Sequence, residues 1–467
     1  MAKVFLIQAA VHDQHIERAQ PLGLMYIAAY LQRHRGDEVR LHDMRLDWRN
    51  YQSPLETLRT FQPDVVGISA HGLDAPAMHR LAELIKKETP TIPVVCGGVH
   101  GTAYWREILA DQHLDAVVIG EGERTFAELL DAFDKRCSPA EVDGIAYRTG
   151  QEVQHRAPRT YQEPLDDFGF PAWSLLDIDA YGRFPRIGLI YRDKRYMSIE
   201  TARGCPFHCA WCHNTMGRQF RPRSAEHVVE MITTLVNHYR IRDILVIDDL
   251  FNFDRGRVKE IFTSLLRKQL PVSFALPNGV RADLLDEETI ALMRRAGVYR
   301  MMIAVETASP RLQKDMGKNL DLEHARTMID YASRLGISVH GNFIIGLPTE
   351  SEAEMRQTIR FAVRSRLDTF GLYRAIPFKD THLFEMARQA GFQQATGEMV
   401  YSFWDQTQNI SPIPLPTINR ARRWAYPQFY LRPKRLWRLV RHLPNKARLL
   451  PFLFWFFLKK SYSGRDR

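Results

Sequence analysis

Short apolar runs alternate along the chain with longer segments whose apolar positions recur every three or four residues, a rhythm that predicts strands and helices in turn. Residues 3–7 (KVFLI), 38–44, 64–70, 93–98 and 115–122 read as strands, and 22–31, 76–87 and 123–133 as helices. Strands that alternate with helices imply a parallel, doubly wound α/β sheet of Rossmann type, which takes ligands at the carboxyl ends of its strands. The rhythm returns with strands at 197–201, 244–249, 272–279, 299–307, 338–348 and 371–378 and helices at 256–269, 286–296, 321–335 and 351–366. Six βα steps rather than eight predict a partial, open (β/α)6 barrel with its working residues at the strands' carboxyl ends. Between the two lies a connecting segment with a small hairpin at 143–150 and prolines at 158, 164, 171 and 185. The expected divisions are 1–137, a linker at 138–190, 191–400, and a C-terminal region at 401–467.

Net charge changes this picture only at the C-terminus. The chain carries +10, but from Arg420 onward there are fourteen Lys or Arg against one acid, Asp466. The excess belongs to the tail rather than to a groove through the body, and no nucleic-acid partner is expected. The tail then runs LLPFLFWFFL over 449–458, followed by Lys459 and Lys460. Ten residues are too few to cross a bilayer as a helix, whereas aromatic and leucine side chains flanked by cations suit an anionic membrane surface. The competing expectation is that the segment caps the barrel or an oligomer surface. The N-terminus, MAKVFLIQAA, lacks a signal peptide's cleavage pattern, so a cytoplasmic location is expected, with peripheral contact at the inner membrane face.

Five cysteines are few for a disulfide framework, and Cys205, Cys209 and Cys212 crowd into eight residues, apart from Cys96 and Cys137. Thiolates spaced C-x3-C-x2-C can hold three irons of a cubane and leave the fourth open, which a catalytic cluster requires. A zinc knuckle is the alternative, with His208 or His213 as fourth ligand. The run Cys205-Pro-Phe-His-Cys209-Ala-Trp211-Cys212 resembles the signature of the radical S-adenosylmethionine superfamily, and the resemblance extends over roughly 195–400. It implies a [4Fe–4S] cluster that opens S-adenosylmethionine into a 5′-deoxyadenosyl radical, with an electron donor such as a flavodoxin or ferredoxin. By the same resemblance Asp248-Asp249 would contact the methionyl ammonium, Glu306 the ribose hydroxyls, and Gly346-Leu347-Pro348 the adenine. Asn278, Arg281 and His340 lie near strand ends and are expected to face substrate or to pack.

In the first third, Ser69-Ala-His71-Gly72, Gly97-Gly98 and Gly120-Glu121-Gly122-Glu123 all follow strands, where glycines let backbone amides approach a ligand. No G-x-G-x-x-G follows the first strand, so a nicotinamide site is not expected. With Pro21-Leu22-Gly23-Leu24 opening the first helix, the segment resembles the cobalamin-binding domain that precedes many radical S-adenosylmethionine cores. It implies that Ser69, Gly97, Gly98, Gly120, Glu121 and Gly122 contact cobalamin. The Asp-x-His-x-x-Gly that supplies a histidine to cobalt is incomplete: Asp13-Gln-His15 is followed by Arg18 where glycine belongs. The two cofactors together imply methyl transfer to an unactivated carbon of a hydrophobic small molecule, with oxidative cyclisation or ring rearrangement as the alternative. An iron–sulfur electron-transfer protein explains the thiolates but not Glu306 with Gly346–Pro348.

Overall fold

The computed structural model describes every residue except 12–18, 135–137, 151, 162–163, 185–189, 214, 393–408, 445 and 447–467. Cys137, His15 and the apolar stretch 449–458 therefore lie outside the described residues. The chain separates into two compact units, one of Met1–Pro185 with Thr215–Gly217 and Arg221–Arg223, the other of the remaining residues.

In the first unit β1 (Lys3–Gln8), α1 (Leu22–Arg35), β2 (Glu38–Asp43), α2 (Gln52–Phe61), β3 (Val65–Ser69), α3 (Ala75–Glu88), β4 (Val94–Gly97), α4 (Gly98–Ile108), β5 (Ala116–Val118) and α5 (Glu123–Phe133) alternate. The strands lie in the order β2-β1-β3-β4-β5 and are parallel, so the order reverses between β1 and β3. The hairpin of the connecting segment, β6 (Ile145–Thr149) and β7 (Glu152–His155), continues this sheet antiparallel beyond β5. The expected linker thus contributes two strands to the first unit. After Lys3 the run VFLI is apolar because both faces are covered: Phe5 and Ile7 enter one core, Val4 and Leu6 the other. Register then sets Asp43, Gln8, Ser69 and Gly97 side by side along the carboxyl edge.

After the one-turn α6 (Ile178–Tyr181), the second unit begins its sheet with β8 (Tyr196–Ile199), and the short β9 (Ala202–Arg203) and β10 (Arg221–Pro222) follow in the chain. Then come α7 (Ala225–Asn237), β11 (Asp243–Val246), α8 (Arg255–Lys268), β12 (Ser273–Val280), α9 (Glu287–Arg295), β13 (Val298–Glu306), α10 (Pro310–Asp315), α11 (Leu322–Arg334), β14 (Ser338–Ile345), α12 (Glu352–Arg364) and β15 (Thr369–Arg374). The six strands β8, β11, β12, β13, β14 and β15 pair in that order, all parallel, the open partial barrel expected. Along β13 and β14, Met301, Ile303, Val339 and Phe343 are buried, and α11 and α12 pack on these strands. Met302, Ala304, His340, Asn342 and Ile344 alternate with them and face the other way, half-buried, into the barrel.

Helices α13 (His382–Gln389), α14 (Leu415–Tyr430) and α15 (Pro433–His442) complete the described chain. Here the basic tail departs from expectation. Arg435 is buried and donates to the carbonyls of Val363, Ser365 and Leu367, at and just beyond the end of α12. Arg438 pairs with buried Asp368. These two cations brace the barrel rather than coat the surface, whereas Trp424, Leu431 and Trp437 are exposed. Among the described residues no helix is long and apolar enough to cross a membrane.

Candidate functional site

The cysteine motif forms a loop after β8 that is held from several sides. Ala210 donates its N–H to Met316 O at 2.9 Å and accepts from Leu383 N at 2.8 Å. Ala210 is buried in an apolar cluster with Leu312, Met316, Leu347 and Leu383, and Trp211 packs against that cluster. Gly317 lies at φ +65°, and a Cβ there would sit 2.7 Å from His208 O, so the loop crosses a point only glycine allows. The guanidinium of Arg281 lies 3.6 Å from the Phe207 ring centroid, bonds Asp283, and reaches Lys318 O at 2.9 Å. Arg281 is therefore a buried brace for the loop, not the substrate-facing group that its place near a strand end implied.

Between those supports Cys205 and Cys209 are half-buried and Cys212 is exposed. Burial raises the Cys205 and Cys209 thiols, Cys205 also feels Cys212, and nearby Lys318 opposes the rise in both. Among the described residues no three His, Cys, Asp or Glu converge to grip one ion. His213 spends Nε2 on Lys379 O at 3.1 Å. A cubane takes each thiolate on a different iron, so three neighbouring but unconverged thiols, with a cation beside them, fit it.

The other strand ends sort the expected contacts. Asp248 is buried and accepts from Thr201 N at 2.6 Å and from Thr201 Oγ1. Its carboxyl is pushed up to about 7 by burial, which outweighs those bonds. Both oxygens are spent on the end of β8, so the pair expected to meet the methionyl ammonium is reduced to Asp249. Asp249 is open to solvent yet crowded, and the crowding, with Glu200 next, raises its carboxyl.

Glu306 stands at φ +68°, uncommon for a non-glycine residue, beside a shift in the β13–β14 register. The carboxylate is buried, makes no hydrogen bond with the described protein, and is raised by burial against the pull of Lys318. Gln313, which the sequence had not marked, fixes the turn by donating to Val305 O and Thr307 O on either side of Glu306. A carboxylate so held, with unspent oxygens, fits a ligand's diol. At Gly346–Pro348 the turn is tied by Glu350, also unmarked, whose Oε2 accepts from Gly346 N and Leu347 N. Asn278 donates to Ile247 O, and His340 spends both ring nitrogens on Thr369 and Asn342. A cleft of about 750 Å3 on the helical flank of this unit, lined by residues such as Lys314, Arg326 and Arg360, receives none of the predicted residues.

In the first unit, Gly98 at φ +83° lets α4 start directly on β4; a Cβ there would lie 2.7 Å from Ser69 Oγ. Gly120 donates to Thr102 Oγ1 at 3.0 Å. Glu121 departs from expectation: its carboxylate pairs with Arg221, leaving only its backbone for a ligand. Ser69, Gly97, Gly98 and Gly120 do gather on one carboxyl edge, a cradle with little side-chain bulk.

Comparisons with known proteins agree with both halves. The B12 binding domain matches residues 17–130 and the Radical SAM superfamily residues 199–362. The cytidylyl-2-hydroxyethylphosphonate methyltransferase of Streptomyces wedmorensis is 30% identical over 421 residues, 80% of this chain and 78% of that protein. The anaerobic magnesium-protoporphyrin IX monomethyl ester cyclase of Rubrivivax gelatinosus is 28% identical over 391 residues, 81% of this chain and 69% of that protein. Among solved structures, the radical S-adenosylmethionine methyltransferase TsrM from Kitasatospora setae, with cobalamin and [4Fe-4S] cluster bound, aligns with a TM-score of 0.69. It is 19% identical and covers 83% of this chain and 75% of that one, a likeness of fold. The chain belongs to the cobalamin-dependent radical S-adenosylmethionine enzymes.

Proposed function

We propose that this enzyme moves a methyl group onto an unactivated carbon of an apolar metabolite. The observation that carries the methyl transfer is the match to a methyltransferase at 30% identity over 80% of the chain. When bound, the cluster and S-adenosylmethionine supply a 5′-deoxyadenosyl radical that takes a hydrogen atom from the substrate, and cobalamin supplies the methyl group.

This chain's residues do the holding. Cys205, Cys209 and Cys212 hold three irons, and the Arg281–Phe207 and Gly317–His208 contacts keep their loop in place. Asp249 is the remaining acceptor for the ammonium, Glu306 takes the ribose, and Gly346–Pro348 lies under the adenine. Inside the barrel Met302, Ala304 and Ile344 offer apolar surface, and the His340–Asn342 pair a polar point of orientation. Reduction of the cluster calls for a one-electron donor of the flavodoxin or ferredoxin kind. Exposed Trp424, Leu431 and Trp437 support contact between the basic C-terminal region and an anionic membrane carrying such a substrate.

The test needs no substrate. The protein, purified anaerobically with cobalamin and a reconstituted cluster, is reduced and given S-adenosylmethionine labelled in the methyl group. Transfer of label to the bound cobalamin, with release of S-adenosylhomocysteine, is the expected result. Release of 5′-deoxyadenosine with no label on cobalamin would remove methylation and favour cyclisation, the activity named for the Rubrivivax gelatinosus relative.

A further inference from the structure

The first unit has the parts of a cobalamin site except the usual donor to cobalt, since Arg18 stands where that motif needs glycine. The carboxyl edge offers a different one. In a doubly wound sheet the ligand crevice opens where the strand order reverses, here between β1 and β3. β1 ends at Gln8 and is followed by Ala9 and Ala10, and Ala9 N donates to Ser69 O at 2.9 Å, which ties the two strand ends together. Ala9, Ala10 and Ala70 are small and buried, and a Cβ at Gly72 would meet nothing within 4 Å. In the middle of this low-walled edge, directly after β3, stands His71.

Its imidazole makes no hydrogen bond to the described protein, although polar groups surround it. They are spent on one another. Arg45 donates to both oxygens of Asp43, at 2.8 and 2.7 Å, and Tyr181 adds a third bond to Asp43 at 2.7 Å. Asp74, the nearest acid on the following turn, accepts from Val11 N at 3.2 Å. Desolvation, then the charge of Arg45, holds the His71 pKa below its ordinary value, against the weaker pull of Asp43. His71 is exposed at this edge, so its ring is open to a ligand. His100, the other described histidine beside this edge, lies in the first turn of α4, stacks on Tyr104 and has Nδ1 buried.

We propose that His71 donates an imidazole nitrogen to the cobalt of bound cobalamin, from the face turned toward the β1–β3 edge, in place of the missing motif histidine. This rests on cobalamin binding and is independent of methyl transfer.

The experiment uses the full chain loaded with cobalamin reduced to the cobalt(II) state, with the cluster left oxidised and silent in electron paramagnetic resonance. Protein made with ordinary histidine should split each cobalt line into a triplet, and protein made with 15N-histidine into a doublet. His71→Ala and His71→Gln should lose the splitting while cobalamin stays bound, and His15→Ala and His100→Ala should keep it. If His71→Ala fails to fold, the isotope effect in unaltered protein together with the His15 and His100 variants still decides. No nitrogen splitting, a splitting blind to the label (the cofactor's own base), or one that survives His71→Ala would each overturn the assignment.

Discussion

Gly317 is the position where one added methyl group probes the cluster loop most directly. Its φ of +65° costs a non-glycine residue about 1–2 kcal/mol. Gly336, at φ +79°, would impose the same backbone cost with nothing within 4 Å of its Cβ, and so serves as a matched control. What separates them is contact: at Gly317 the Cβ would lie 2.7 Å from His208 O, well inside the 3.4 Å at which ordinary contact begins. Because the obstacle is backbone, it cannot swing aside as a side chain would. The shift must be absorbed by the Cys205–Cys209 loop or by Lys318, whose carbonyl anchors Arg281. Both Gly317→Ala and Gly336→Ala should therefore lower the thermal midpoint by about 2–8 °C. Only Gly317→Ala should fall well short of about four irons per chain after anaerobic reconstitution and gel filtration. Radical yield from whatever cluster remains should drop roughly ten- to hundred-fold, as expected for displacement approaching 1 Å. Equal iron content and equal radical yield in the two variants would refute the claim that this crossing holds the cluster loop.

Two other perturbations address the S-adenosylmethionine contacts. Glu306→Gln should weaken binding of S-adenosylmethionine to cluster-loaded protein roughly 10- to 100-fold, the worth of a charge-assisted hydrogen bond. The thermal midpoint should hold or rise, since the change removes a buried charge with no protein partner; unchanged affinity by calorimetric titration would exclude Glu306 from the site. Glu350 rises from an ordinary 4.5 to about 7, mainly by burial, so its contribution to stability is full below pH 4.5 and is lost as pH climbs through 7. That span amounts to about 3 kcal/mol. Glu350→Gln should flatten the fall in thermal midpoint between pH 5.5 and 8; an identical slope in the variant would remove Glu350 as its source.

The fold was legible because strands such as β1, β3, β4 and β5 are short apolar runs that end near glycine, polar residues or a helix start. Where that signal failed, the cause was local. Helix α2, Gln52–Phe61, buries only Pro54, Leu55, Leu58 and Phe61, too thin a stripe to stand out. Helix α4 begins at Gly98, and its glycines and Thr102 read as a loop until the close approach to Ser69 is seen. The hairpin was visible, but not its place on the sheet edge, which depends on pairing Ala116 with Tyr147 across 31 residues.

At the site residue types are legible in the sequence, while the structure shows which of their atoms remain unspent. Asp248 and Asp249 are alike in composition, and only the bonds from Thr201 show that the first is structural. Glu121 looked available beside its glycines until Arg221 was seen to hold it, and Arg281 until its planar group was seen against Phe207. Glu306 and His71 go the other way: no side chain or backbone group of the described protein bonds either, Glu306 being buried and His71 exposed after its strand. A buried carboxylate left without a bond costs stability unless something outside the chain completes it, and that is the condition of Glu306. Each of the two stands on the carboxyl edge where the fold of its unit takes a ligand. That coincidence is the physical reason to read Glu306 toward S-adenosylmethionine and His71 toward cobalt, and the two can be tested separately because a carboxylate–diol bond and a cobalt–nitrogen bond leave different signatures.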